Sequence, residues 1–256
     1  MATSKAVWCA LGAGLAAGVA IPALAQPVFF SDHQAFTNHM LLNAKVLKGV
    51  EDFENADISQ GGKVPFPDML TNGVSRPPVF NDGIHSTNLI MQTNRNPGPF
   101  AAQDVPSSDP QALFALGVGA FGSNSKKVGE DLGILAGVHC SIDLIFTTGD
   151  KTGVGFELSR FAGFGNAGWI IGVFDTSNAL MGSFVINGPV PTNPAKNFFG
   201  VYSTTPIGRI NIFDPDPLSP DALDDIEMWV PSPGAAAMLL AMVGLGAASR
   251  RRPLGF

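Results

Sequence analysis

The stretch "GWIIGVFDTSNALMGSFVIN", residues 168–187, decides the fold class. "GWIIGVFD" and "LMGSFVIN" each alternate apolar with small or polar residues, the period-two pattern of a strand with one buried face. Between them "DTSN", residues 175–178, is a run of turn formers short enough to predict a tight hairpin. Five more runs of this kind surround the hairpin: "CSIDLIFTT", "GVGFELS", "NFFGVYST", "IGRINIFD" and "DDIEMWV". They recur every ~8–15 residues, separated by turn clusters with no helical text. That rhythm predicts antiparallel sheets packed as an all-β sandwich of jelly-roll type.

Composition agrees with this reading. The chain has 256 residues, 30 of them glycine and 20 proline, and only 14% are charged, which suits a turn-rich β domain better than a helical bundle. A net charge of −6 argues against a nucleic-acid partner, which needs a basic face.

Upstream of the hairpin the pattern changes. "FFSDHQAFTNHMLLNAKVL" predicts one short helix over 32–44, with Ser31 and Gln34 as a capping box and Phe36, Met40, Leu41 and Leu47 as its apolar stripe. Such a helix packs as a lid on a sheet. "VLKGVEDFEN" reads as the first strand. Residues 55–110 are rich in Pro, Gly, Asn and Asp and read as long loops around a short strand in "HSTNLIMQT". Loops of that length are functional or flexible. "ALFALGVGAF", residues 112–121, reads as a buried strand.

Both ends are addressing segments. Lys5, the apolar run "AVWCALGAGLAAGVAI" and the small-x-small site at Ala23 and Ala25 form a secretory signal, with Gln26 as the mature start. Cys9 leaves with the signal. Cys140 is then a single thiol, so no internal disulfide forms and the domain must be held by its core. His139 beside it makes one isolated pair, a poorer match to a metal site than to a buried strand cysteine. At the other end, the apolar run from Gly234 to Ala248 falls short of the ~20 residues of a comfortable membrane helix. Arg250, Arg251 and Arg252 follow it and stay on the cytoplasmic side, leaving the body outside. The segment is thus expected to pause transiently in the inner membrane. The chain divides into a signal at 1–25, a sandwich domain at 26–229 and a sorting tail at 230–256.

The order Val230-Pro231-Ser232-Pro233-Gly234, short apolar segment, Arg250 to Arg252 resembles the PEP-CTERM sorting signal of exported bacterial proteins. Ser232 stands where that signal commonly has glutamate. The resemblance implies an exosortase-type processing protease as partner, delivery to the cell surface or extracellular matrix, and company with exopolysaccharide. More loosely, "FSDHQAF…VEDFEN", "VGFELS", "FFGVYSTTPIGRINI" and "DDIEMWV" resemble bodies that precede such tails, which implies a galactose-binding-like sandwich.

Catalytic signatures are missing. No G-x-S-x-G, H-E-x-x-H or S-x-x-K set is present. "GFGNAG", residues 163–168, matches a dinucleotide fingerprint but runs into strand text instead of opening a helix, so it reads as a connecting loop. His33, His39, His85 and His139 are scattered. Trp169 and Trp229 sit in apolar strand text and read as core, leaving few aromatic platforms for sugars. The acidic residues are more suggestive. If the first and last strands are neighbours, Glu51, Asp52 and Glu54 approach Asp224 and Asp225, an oxygen-rich group that suits structural calcium. A solvated acidic loop is the competing reading. The expected function is therefore an exported, non-enzymatic β-sandwich with a structural or binding role. The alternatives are a carbohydrate-binding module or a secreted glycan hydrolase, the latter needing a groove with two facing carboxylates.

Overall fold

A computed structural model describes residues 26–117, 126–130, 141–160, 168–186, 197–215 and 221–234. The signal peptide, His139, Cys140, residues 163–167 of "GFGNAG" and the tail from 235 through Arg250 to Arg252 lie outside the described residues.

The chain opens with β1 (Val28–Phe30) and α1 (His33–Leu42), then β2 (Lys45–Glu51), β3 (Lys63–Phe66), β4 (Leu70–Thr71), β5 (Leu89–Asn94), β6 (Leu113–Gly117) and β7 (Lys126–Glu130). The second half holds β8 (Ser141–Phe146), β9 (Gly153–Arg160), β10 (Trp169–Asp175), β11 (Leu180–Ile186), β12 (Asn197–Tyr202), β13 (Ile207–Phe213) and β14 (Asp221–Pro231). All seven strands read from the second half of the sequence are present.

Two antiparallel sheets form a sandwich. One runs β1-β12-β9-β14-β7-β6-β3, with β2 also on β14, and the other runs β11-β10-β13-β8-β5-β4. Period-two alternation builds the core between them. Val154, Phe156 and Leu158 of β9 and Phe199 and Val201 of β12 face inward from one sheet. Ile142, Leu144 and Phe146 of β8, Trp169, Ile171 and Val173 of β10, and Ile210 and Ile212 of β13 face them from the other. Burial of each large side chain contributes about 1.5–3 kcal/mol, so this one continuous cluster supplies the stability that a disulfide-free domain needs.

The "DTSN" tetrad closes β10 onto β11 as expected. Asp175 N–H donates to Ala179 O at 2.9 Å, and the Asp175 carboxylate accepts from the N–H groups of Ser177 and Ala179. Asn178 takes the left-handed conformation, φ 65°, which asparagine tolerates well.

Four expectations are corrected. The helix N-cap is Asp32, extended at φ −125°, and its carboxylate accepts from Ala35 N–H at 2.7 Å. Ser31 lies one residue too early for that role, and Gln34 turns instead to Asn38. The helix ends at Leu42, not 44, because Ala44 has φ 50° and leaves helical space. β2 is not the first strand: β1 precedes the helix and pairs with β12. The segment 55–110 is not all loop around one strand, since β3 and β4 lie within it.

Helix α1 is the lid that the sequence predicted. Phe36 and Met40, one turn apart, are fully buried on the outer face of the larger sheet with Trp229. A side chain at Gly200 would put its Cβ 2.7 Å from the Phe36 ring, so glycine there allows the helix to sit close. Among the described residues, no helix is long and apolar enough to cross a membrane.

Candidate functional site: a polar sheet face under a strap

The inward alternation of β5, β8, β10 and β13 leaves the other set of side chains on the outer face of the smaller sheet. They include Gln92, Asn94, Ser141, Asp143, Gly172, Phe174, Arg209 and Asn211, and their strands hold them in register: Asn211 lies opposite both Asp143 and Gly172. An outward sheet face is normally wet, yet Asn94, Ser141, Asp143 and Asn211 have no exposure and Arg209 only 2%. What covers them is the chain segment between β5 and β6.

This strap is held by side chains of the sheet. Arg209 donates to Ala101 O at 2.9 Å, Asn94 to Ala102 O at 2.9 Å and Gln92 to Asp104 O at 2.8 Å. Further along, Asp68 accepts from Ser107 N–H at 2.9 Å. Phe100 lies over Gly172, where an added Cβ would come within 2.7 Å of its ring. The strap is thus seated, not loose.

Beneath it Arg209 and Asp143 form a buried ion pair at 2.7 Å. Asn211 and Asn94 also donate to the Asp143 carboxylate, at 2.8 and 2.9 Å, so both of its oxygens are engaged. Burial pushes the Asp143 carboxyl up; the Arg209 charge and the amide donors oppose that. Arg209 also donates to Asn178 Oδ1 at 2.8 Å and lies 3.9 Å over the Phe174 ring. Its charge and its donors are consumed within the protein.

Beside the strap opens a hollow of about 290 Å³. Gln103 of the strap, Thr147 and Thr148 after β8, and Asp175, Thr176 and Asn178 of the hairpin supply its polar lining, together with Ile145, Phe146 and Arg209. Among the described residues, Asp175 is the only carboxylate lining it. Hydrogen bonds from Ser177 and from backbone N–H groups hold that carboxyl below the usual range. Among the described residues, the hollow therefore offers mainly hydroxyls and amides, with Arg209 already paired to Asp143.

The acidic residues singled out in the sequence do not form one site. β2 and β14 are neighbours as anticipated, with Glu51 opposite Ile226. The carboxylates nevertheless separate into two groups. Glu51 and Asp52 lie with His85, and Asp224 and Asp225 lie with Glu157, each set having ligand atoms within 4.8 Å of one another. Glu51 is buried and accepts from Ser86 N–H at 2.7 Å and Phe53 N–H at 3.2 Å. Burial raises its carboxyl above the usual range, partly offset by those donors. Glu54 turns away and accepts from Lys126 N–H at 2.8 Å. Asp225 sits at a register shift of β14 with φ 49°, which displaces it from the strand alternation.

Trp169 and Trp229 are buried, and Tyr202 packs against His39 and Lys45. Gln26 is exposed just before β1. Val230 and Pro231 of the tail motif belong to β14, opposite Val46 and Lys45; Ser232 N–H then donates to Ala44 O at 2.9 Å. Sequence reasoning missed Asp143, Arg209 and Asn211. Their signal was charged and amide side chains at outward positions of otherwise apolar strands.

No family model matches the chain, and no curated protein matches it. Among solved structures it is similar to the K2 cleaved adhesin domain of Lys-gingipain, at 15% identity and TM-score 0.34, over 47% of this chain and 84% of that one. It is also similar to CBM29_1, a family 29 carbohydrate-binding module from Piromyces equi, at 11% identity and TM-score 0.28, over 56% of this chain and 91% of that one. A CBM29-2 variant complexed with mannohexaose is similar at 11% identity and TM-score 0.28, over 56% and 93% of the two chains.

Proposed function

We propose that this chain is an exported cell-surface or matrix β-sandwich that acts by binding, without catalysis, and that the hollow beside Arg209 receives a neutral glycan segment. The observation that carries this is the chemistry of the rim. Gln103, Thr147, Thr176 and Asn178 are amides and hydroxyls, which pair with sugar hydroxyls without a desolvated charge. Most glycoside hydrolases use two carboxylates across a cleft, and among the described residues this hollow has Asp175 alone. Sorting by an exosortase-type protease through Val230 to Gly234 and Arg250 to Arg252 would place the domain among exopolysaccharide.

The test is a glycan array probed with residues 26–234, a span that keeps all of β14. Neutral oligosaccharides should give the signal, and Gln103→Ala combined with Thr176→Ala should lower it about tenfold, the equivalent of one or two lost hydrogen bonds. Binding that survives the double substitution moves the site elsewhere. An array with no signal removes the glycan reading and leaves the structural one.

A further inference from the structure

Among the described residues, exposed apolar side chains gather at the end of the molecule where the chain leaves β14. Leu41 and Leu42, at the end of α1, are 61% and 87% exposed, and Val46 and Leu47 of β2 are 40% and 46% exposed. The β2–β14 register puts Leu47 opposite Trp229, Val46 opposite Val230 and Lys45 opposite Pro231. Leu47 therefore shares the α1 face of the sheet with Trp229, which packs against Met40 just before Leu41 and Leu42, while Val46 points to the opposite face. Residues 41–50, "LLNAKVLKGV", contain no acid and two lysines, Lys45 and Lys48.

Reach makes this placement consequential. β14 ends at Pro231 and the apolar run begins at Gly234. Three Cα steps span at most about 11 Å. Ser232 shortens the path further, because its N–H is bonded to Ala44 O. If the apolar run enters a bilayer, the end of the sandwich cannot stand off from the headgroups. The side of α1 and β2 that carries Leu41, Leu42 and Leu47 is the apolar surface it can offer them.

We infer that this end of the sandwich is a lipid-contacting surface, with Leu41, Leu42 and Leu47 entering the interface of an anionic bilayer and Lys45 and Lys48 supplying positive charge beside them. The inference rests on the reading of the tail as a membrane segment. Apolar side chains beside lysines are the combination that binds such an interface, since burial and headgroup attraction add.

The experiment uses the mature chain from Gln26 to Phe256 with Cys140 replaced by serine, and vesicles of phosphatidylcholine and phosphatidylglycerol. A polarity-sensitive fluorophore is placed on Leu42→Cys or, as control, on Val185→Cys of β11, an edge strand of the other sheet. Both positions are exposed, so neither label disturbs the core. Brominated lipid should quench the label at 42 and spare the label at 185. Lys45→Glu with Lys48→Glu should reduce that quenching several-fold. A chain that floats with vesicles but leaves the label at 42 unquenched overturns the surface and spares the tail reading. A chain that does not float overturns both. A label at 42 that is already shielded without vesicles, and unchanged by adding them, assigns the patch to the chain's own tail and also overturns the proposal.

Discussion

Arg209 spends its donors on Asp143, Asn178 and Ala101, and so ties the sheet, the hairpin and the strap to one guanidinium. Removing one partner of a buried pair leaves the other charged and unpaired, which costs about 3–5 kcal/mol. Arg209→Met should therefore lower unfolding free energy by that amount in denaturant titration. Arg209→Lys should lose most of it too, because an ammonium cannot span three acceptors in that fork geometry. A second residue-scale prediction concerns pH. The folded-state pKa of Glu51 is raised by burial, so the folded protein holds this proton more tightly than the unfolded chain. Its contribution to stability is present below the unfolded value of about 4.3 and is lost as pH rises through the folded value. Glu51→Gln should flatten that decline in melting temperature above pH ~4.3, and a variant that tracks the parent at every pH removes Glu51 from the account.

At the level of elements, the strap is the part whose behaviour follows least obviously from its text. Its residues are the turn formers of a loop, yet it is fastened by Gln92, Asn94, Asp68 and Arg209 and seats Phe100 over Gly172. Gly172→Val should displace Phe100, cost about 1–3 kcal/mol by overpacking and open residues 95–108 to limited proteolysis. Uncut strap in the variant would mean that the polar bonds alone hold it. This contrast also marks what the sequence made legible. The strands from β8 to β14 were readable because each alternates apolar with small or polar residues, even where, as at Asp143 and Arg209, both faces are buried. β3 was not, since its "KVPF" carries Pro65, which an edge strand tolerates by having no partner on one side. β7 was not, because "KKVGE" reads as a charged loop. The hollow was not, because its rim comes from the strap, the β8–β9 turn and the β10–β11 hairpin, which only the tertiary fold brings together.

Across the whole molecule, the sandwich keeps its acids apart and supplies cations of its own. Lys126 bonds the backbone of Glu54, which fastens the loop after β2 to β7. Lys127, buried on β7, donates to Ser159 at 2.9 Å and is the next residue along its strand toward Asp224. Ser159 lies two residues from Glu157 on β9, hence on the same face. The ammonium bonded to Ser159 is thereby placed toward the face of β9 that carries Glu157, where it would oppose repulsion among Glu157, Asp224 and Asp225. The expected outcome is that chelation leaves the melting temperature of residues 26–234 unchanged, while Lys127→Met lowers stability by about 3–5 kcal/mol through uncompensated buried charge. Added calcium should then restore part of the loss in Lys127→Met, because Glu157, Asp224 and Asp225 lie close enough to share one ion. A parent protein that melts lower in chelator and recovers with calcium, with Asp225→Ala insensitive to both, would instead place a resident ion at the β14 register shift and make Lys127 its neighbour, not its substitute.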